Sequence, residues 1–191
     1  VNNNATLELC DCQGTGVVDA GSKRGIYTTS GTTTHLYGGT ITAANNAVAT
    51  YGVVTVDGAR LVSTNQPVIN GQGGSNILIK SGSLESKSIT QAVSIYTNNF
   101  RMEGGSILTN NGSYGIFVGN NKAVTISGGS IQAPKGCGIN LFGGSVSLSG
   151  SPEIEGANGD IQFYGSNGKI TVDPTLTGTY SVTCSAVAPT E

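Results

Sequence analysis

Val124-Thr125-Ile126-Ser127-Gly128-Gly129-Ser130-Ile131 reads as two short strand segments joined by a Gly-Gly bend. Val124, Ile126 and Ile131 form one apolar set, and Thr125, Ser127 and Ser130 are polar. That is the period-2 pattern of a strand with one buried face. Weaker copies recur almost from end to end. Aligned on the apolar residue after the bend, they give Ile41, Leu61, Leu84, Ile107, Ile131 and Ile154, with Leu176 as a degraded last member, at spacings of 20, 23, 23, 24, 23 and 22.

Other columns keep step with this one. Leu36, Val56, Ile79, Met102, Ile126, Leu148 and Val172 form the apolar column ahead of the bend. Two residues earlier stand Thr34, Val54, Ile77, Phe100, Val124, Val146 and Ile170. Two residues beyond the anchor every member is small: Ala43, Ser63, Ser86, Thr109, Ala133 and Gly156. Asn45, Asn65, Asn111 and Asn158 then predict a partial asparagine ladder at another corner. A third strand precedes each pair, as in Gly115-Ile116-Phe117-Val118 and Gly138-Ile139-Asn140-Leu141.

Three strands, three corners and a repeat of about 23 residues describe one coil of a parallel β-helix. A hairpin meander explains the alternation but not why small and glycine columns persist over six copies. The expected fold is therefore an all-β, right-handed, single-stranded parallel β-helix of about 7–8 rungs, handed by the crossover rule for parallel strands. At ~4.8 Å per rung the rod is roughly 35–40 Å long. One domain spans residues 1–191, with 1–25 as an incomplete first rung and 177–191 as a C-terminal rung and tail leaving at Pro189. Open strand edges at both ends call for a cover, such as further domains of the same protein.

Composition agrees. Thirty glycines, no Trp and 10% charged residues disfavour helix, while Thr, Val and Ile favour strands. A net charge of −2 with scattered charges offers no basic surface for nucleic acid. No apolar run approaches the ~18 residues of a membrane span. Val1-Asn2-Asn3-Asn4 lacks the features of a secretory leader, so a mature chain or a cut fragment is expected.

The stretch Gly136-Cys137-Gly138-Ile139-Asn140-Leu141-Phe142-Gly143-Gly144-Ser145-Val146-Ser147-Leu148-Ser149-Gly150-Ser151-Pro152-Glu153-Ile154 resembles the Gly-Gly-[Ser/Thr]-Ile repeats of parallel β-helix proteins on the surface of gut-dwelling, mostly Gram-positive bacteria. Gly168-Lys169-Ile170-Thr171-Val172, with Leu176-Thr177-Gly178 after it, is similar to their closing unit. The resemblance covers most of residues 25–180 and departs from the pattern in the first rungs, and no wall-anchor motif is visible. It implies a secreted or surface-exposed bacterial protein. It transfers no catalytic residue.

Charged candidates are few. The outward residues of the third strand read Tyr27, Ala49, Ile69, Ser94, Phe117, Asn140 and Gln162, none charged. His35 and Arg101 stand three rungs apart, ~14 Å, too far for one hydrogen-bonded pair. Glu153 and Glu155 flank Ile154 at ~6.5–7 Å, near the separation used by inverting glycosidases, but glutamates so placed on a wet strand are usually just solvated. Asp57, Lys80 and Glu103 predict a surface ionic ladder. The cysteines Cys10, Cys12, Cys137 and Cys184 read as small, partly buried thiols rather than a metal site, for want of well-placed ligands. No cofactor is expected.

Aromatic residues carry the functional expectation. Tyr51, Tyr96, Phe142 and Tyr164 share the outward position at the end of the third strand, with Tyr27 and Phe117 beside them. Such a stripe can stack on sugar rings while neighbouring amides reach the hydroxyls; the competing structural reading puts the rings under the variable loops. The expectation is a non-catalytic extracellular module, secreted or on the cell surface, that presents a glycan-binding or adhesive face. A carbohydrate-active enzyme and a purely structural stalk are the alternatives.

Overall fold

A computed structural model describes residues 4–165 and 167–185; the expected exit at Pro189 lies outside them. Among the described residues there is no helix, and every strand pairing is parallel. The chain winds through eight coils as a parallel β-helix.

Coil 1 is β1 (Thr6–Leu9), β2 (Val17–Asp19) and β3 (Ile26–Thr28). Residues 1–25 thus contribute two strands of a coil that β3 completes. Coil 2 is β4 (Thr33–Leu36), β5 (Thr40–Ala43) and β6 (Val48–Thr50). In coil 3 the single strand β7 (Val53–Ser63) runs through the first corner before β8 (Ile69–Gly71), and in coil 4 β9 (Asn76–Ser86) does the same before β10 (Gln91–Ile95). Coil 5 is β11 (Asn99–Met102), β12 (Ser106–Thr109) and β13 (Tyr114–Val118); coil 6 is β14 (Ala123–Ile126), β15 (Ser130–Ala133) and β16 (Cys137–Phe142). Coil 7 is β17 (Ser145–Leu148), β18 (Glu153–Gly156) and β19 (Ile161–Tyr164), and coil 8 is β20 (Lys169–Val172) and β21 (Val182–Cys184).

The anchor column is a continuous register, Ile41–Leu61–Leu84–Ile107–Ile131–Ile154, and Val18 joins it below Ile41. The column before the bend runs from Leu9 through Leu36, Val56, Ile79, Met102, Ile126 and Leu148 to Val172. Its six interior members are at most 2% exposed. A third ladder, Ile26–Val48–Ile69–Val93–Ile116–Ile139–Ile161–Val182, lines the third face. Buried apolar side chains therefore stack rung on rung, and that stacking is the main source of stability in a fold with no single centre.

The Gly-Gly bend has two separate physical causes. A Cβ at Gly128 would run into the carbonyl oxygen of Glu103 in the coil before. Gly129 instead adopts φ +85°, which L side chains rarely adopt. The first glycine permits close stacking; the second permits the turn and stacks closely too, its Cβ position 2.7 Å from the Gly105 carbonyl oxygen.

Several expectations are corrected. Ile69 is fully buried on the third face, and Asn70 is the outward residue there; coil 3 carries consecutive apolar residues, Val68 and Ile69, of which Ile69 takes the ladder position. The four corner asparagines do not bond one another among the described residues. Asn111 accepts from Lys135 Nζ at 2.6 Å, Asn158 donates to the Lys135 carbonyl, and Asn45 accepts from the Asn46 N–H. Leu176 packs in part against the core from a turn and not from a strand.

The C-terminal end is partly closed. Among the described residues, coil 8 has no strand paired onto β18. Asp160 occupies that place: Oδ1 accepts from the Gly156 N–H at 3.2 Å, and Oδ2 from the Ser181 N–H and hydroxyl at 2.7 and 2.9 Å. Tyr180 bridges above, its phenol oxygen 2.6 and 3.0 Å from the Pro152 and Thr177 carbonyls, which share its single proton. A carboxylate and a phenol so placed blunt what would otherwise be a free strand edge.

Candidate functional site

The third face carries the aromatic residues, and its register explains their alignment. Tyr51, Tyr96, Phe142 and Tyr164 each lie at or just beyond the end of a strand of the ladder β6–β8–β10–β13–β16–β19. In coil 3 that position is Gln72, and in coil 5 it is Gly119. A Cβ at Gly119 would lie 3.0 Å from Tyr96 Cδ1, so a side chain there would crowd that ring. Phe117, from two residues earlier, supplies the missing ring.

The result is a ladder across four successive coils. Ring centroids lie 5.9 Å apart between Tyr96 and Phe117, 6.0 Å between Phe117 and Phe142, and 5.5 Å between Phe142 and Tyr164. The last two pairs are stacked, at interplanar angles of 29° and 20°. These distances fall in the favourable range for aromatic pairs. They also exceed the rung spacing of ~4.8 Å, so each ring is offset along its neighbour and overlaps only part of its face. Tyr96, Phe142 and Tyr164 remain 41%, 43% and 49% exposed. These three rings stand out from the coil, and Phe117 between them is half-buried.

Tyr114, which the sequence pattern did not single out, adds a fifth ring 6.4 Å from Phe117. Tyr114 stands two residues before the inward Ile116, so period-2 alternation assigns it to the inward set and gives no sign that it joins the stripe. Burial pushes the Tyr114 phenol above its ordinary value, and nearby Cys137 and Tyr164 push the same way, so it stays a neutral donor. Tyr27 and Tyr51 form a separate edge-on pair at 6.4 Å, with the Arg24 guanidinium 5.5 Å from the Tyr27 ring. Gln72 interrupts the stripe between this pair and the four-ring ladder.

Polar neighbours divide into used and available. Asn140 is almost fully buried and donates to Gln162 Oε1 at 3.0 Å, and Gln162 donates onward to Ser185 at 3.2 Å. Gln72 donates to Asn70 at 2.6 Å. Exposed amides stand at the far end of the ladder, where Asn120 and Asn167 join Phe142, Gly143, Tyr164 and Gly165 around a shallow cleft of about 180 Å³. Apart from the Tyr164 phenol, no ionisable side chain among the described residues lines that cleft.

The charged candidates are not brought together into a reaction centre. His35 stacks on Tyr37 at 5.7 Å, and Arg101 binds Glu103 in its own coil at 2.9 Å, three coils away. Glu103 is thereby drawn out of the expected ionic ladder. Lys80 reaches Asp57 only at 3.8 Å, and a bulge after Val56 sets Asp57 opposite Ser81. Glu153 and Glu155 are both exposed on β18, and Glu155 accepts from Gln132 at 3.5 Å. Clefts of about 510 and 290 Å³ open beside them, but the Asp160 carboxylate there is already occupied by Gly156 and Ser181.

The thiols differ from expectation. Cys137 alone is buried, and burial raises its pKa, which makes it unreactive. Cys10, Cys12 and Cys184 are exposed. Cys10 and Cys12 lie beyond the end of β1, around a turn that Asp11 closes by accepting from the Gly16 and Gln13 N–H groups at 2.6 and 3.1 Å, which also holds its carboxyl below the ordinary value. Among the described residues no cluster of His, Cys, Asp and Glu could hold a metal ion, and no helix is long and apolar enough to cross a membrane.

Comparison with protein-family models, with curated proteins and with solved structures finds no match.

Proposed function

We propose that this chain is a non-catalytic, extracellular β-helix module, secreted or on a cell surface, that binds glycans through the aromatic stripe of its third face. The observation that carries this reading is the four-ring ladder Tyr96–Phe117–Phe142–Tyr164, spaced at 5.5–6.0 Å, in which Tyr96, Phe142 and Tyr164 are exposed and Phe117 is half-buried between them. Aromatic rings presented to solvent offer an apolar surface to the C–H face of a sugar. Asn120 and Asn167 stand where they can meet its hydroxyls. A stalk of the same fold has no need of exposed rings at this density, since single scattered apolar residues suffice on an ordinary surface. The extracellular placement draws on the resemblance of residues 136–154 to surface-protein repeats.

A glycan array probed with the wild-type chain and with Phe142→Ala tests the reading. The expected outcome is a restricted set of hits, each weakened about tenfold or more by the substitution (~1.4 kcal/mol), with the thermal melt little changed. A blank array, or hits indifferent to Phe142→Ala, would sink it. Release of products from any bound glycan, abolished by Glu153→Gln with Glu155→Gln, would instead make the chain a carbohydrate-active enzyme.

A further inference from the structure

We propose that the ligand is an unbranched, uncharged polysaccharide that lies parallel to the coil axis, with about one sugar ring to each coil. The proposal rests on the glycan-binding reading and adds the orientation, length and charge of the ligand. Orientation follows from how the rings are arranged. Tyr96, Phe117, Phe142 and Tyr164 come from coils 4, 5, 6 and 7 in turn, so the apolar band runs along the axis for about 14 Å. Across the axis the band stays narrow beside Tyr96 and Phe142, where the strand residues Ser94 and Asn140 are buried; coil 5 alone widens it, with Tyr114 6.4 Å from Phe117.

Length follows from where the band stops. Toward the N-terminus it ends at Gln72, whose amide is tied to Asn70. Toward the C-terminus it ends at the cleft formed by Tyr164, Asn120 and Asn167. The distance from one end to the other matches an oligosaccharide of about four units, taking one pyranose with its linkage as similar in length to a rung of ~4.8 Å. A ligand running across the coil would touch one ring and gain nothing from additional units. Charge follows from the lining. Uncharged amides and a phenol surround the cleft, and among the described residues no cationic side chain lines it to pair with a uronic acid or sulfate. Desolvating an anion against apolar rings without a counter-charge is unfavourable.

Gln72 provides the discriminating variant. It occupies the register position of Tyr51 and Tyr96 in the intervening coil: its N–H donates to the Thr50 carbonyl at 2.9 Å, and the Tyr96 N–H donates to the Gly71 carbonyl beside it at 2.8 Å. Gln72→Tyr would join the Tyr27–Tyr51 pair to the ladder and lengthen the band by two to three coils.

Calorimetric titration uses neutral β-1,4-linked gluco- and xylo-oligosaccharides from disaccharide to octasaccharide, with galacturonan oligomers of matched length as the charged counterpart. Affinity for the neutral series is expected to rise several-fold with each added unit and to level off near the tetrasaccharide, with galacturonan at least tenfold weaker. In Gln72→Tyr, or in Gln72→Phe should the tyrosine disturb folding, the plateau moves to longer oligomers. Affinity independent of length, or a plateau that neither variant moves, overturns the axial orientation and leaves the glycan reading standing. Galacturonan bound as tightly as the neutral oligomers overturns the assignment of charge. If no oligosaccharide binds and the array is blank, both readings fall. If in addition the chain forms a dimer that Tyr164→Ala converts to monomer, the stripe belongs to a second copy.

Discussion

Coils 6–7 and coil 8 use the same kinds of ladder residue and bury them to different degrees. Val146 and Leu148 in coil 7 are 0% and 2% exposed, and Ile126 in coil 6 is 0% exposed. Ile170 and Val172 occupy the same two columns one coil further on, yet Ile170 is only partly buried and Val172 is 59% exposed. The third face repeats the contrast, with Ile161 at 1% and Val182 at 49%. A ladder side chain in a solenoid is covered from above and below, so losing one neighbouring coil uncovers much of it whatever its own identity. Stability is therefore expected to rise from the ends inward, and chemically equivalent substitutions should cost different amounts by position.

The largest test of that gradient replaces matched isoleucines by aspartate. Ile131, 1% exposed, would place an unpartnered charge between two coils, and Ile131→Asp is expected to cost about 4 kcal/mol or more. Ile170→Asp should cost about 1 kcal/mol, because the charge can reach water. Thermal unfolding followed by circular dichroism separates them: the first loses its cooperative transition or melts far lower, the second shifts by a few degrees. Equal shifts would break the comparison.

Truncation sharpens it without introducing charge. Leu148→Ala should destabilise by about 2–4 kcal/mol by leaving a cavity between coils 6 and 8, whereas Val172→Ala, one coil on, should cost less than about 1 kcal/mol. Denaturant titration of both variants gives the ratio directly, and a ratio near one would mean that the end coil is covered.

The smallest expected effect has the opposite sign. Thr34 stands in an otherwise apolar column below Val54, fully buried, and its hydroxyl has no hydrogen-bond partner among the described residues. Thr34→Val keeps the shape and removes the unpaired group, and should stabilise by about 1 kcal/mol. A destabilised Thr34→Val, measured in the same denaturant titration, would mean that the hydroxyl is satisfied after all.

The ladders were legible because inward residues recur at fixed offsets from a bend, and period-2 alternation leaves little freedom once the bend is placed. Legibility failed where two residue types compete for one position or where partners lie a coil away. Val68 and Ile69 are both apolar, so composition could not decide which of Ile69 and Asn70 faces outward. The chemistry of the corner asparagines fits a ladder, but Lys135, adjacent in space and unremarkable in sequence, captures two of them. The charge alternation of Asp57, Lys80 and Glu103 could not reveal a bulge at Asp57 or the competing Arg101. For the aromatic stripe the sequence supplied the residues, while the gap at Gly119 and its filling by Phe117 depend on side-chain directions that only coordinates define.

The corner contact at Gly128 has a consequence for heredity. A Cβ at Gly128 is forbidden by Glu103 of the coil before, one at Gly104 by Lys80, and one at Gly150 by Ser127. The atom in the way is a backbone carbonyl oxygen each time, so the same fit recurs from coil to coil whatever the side chains below. A gene encoding such a chain can gain or lose whole coils by duplication or deletion of about 23 codons and remain in register, whereas insertion or deletion of a single residue inside a strand throws its inward face outward.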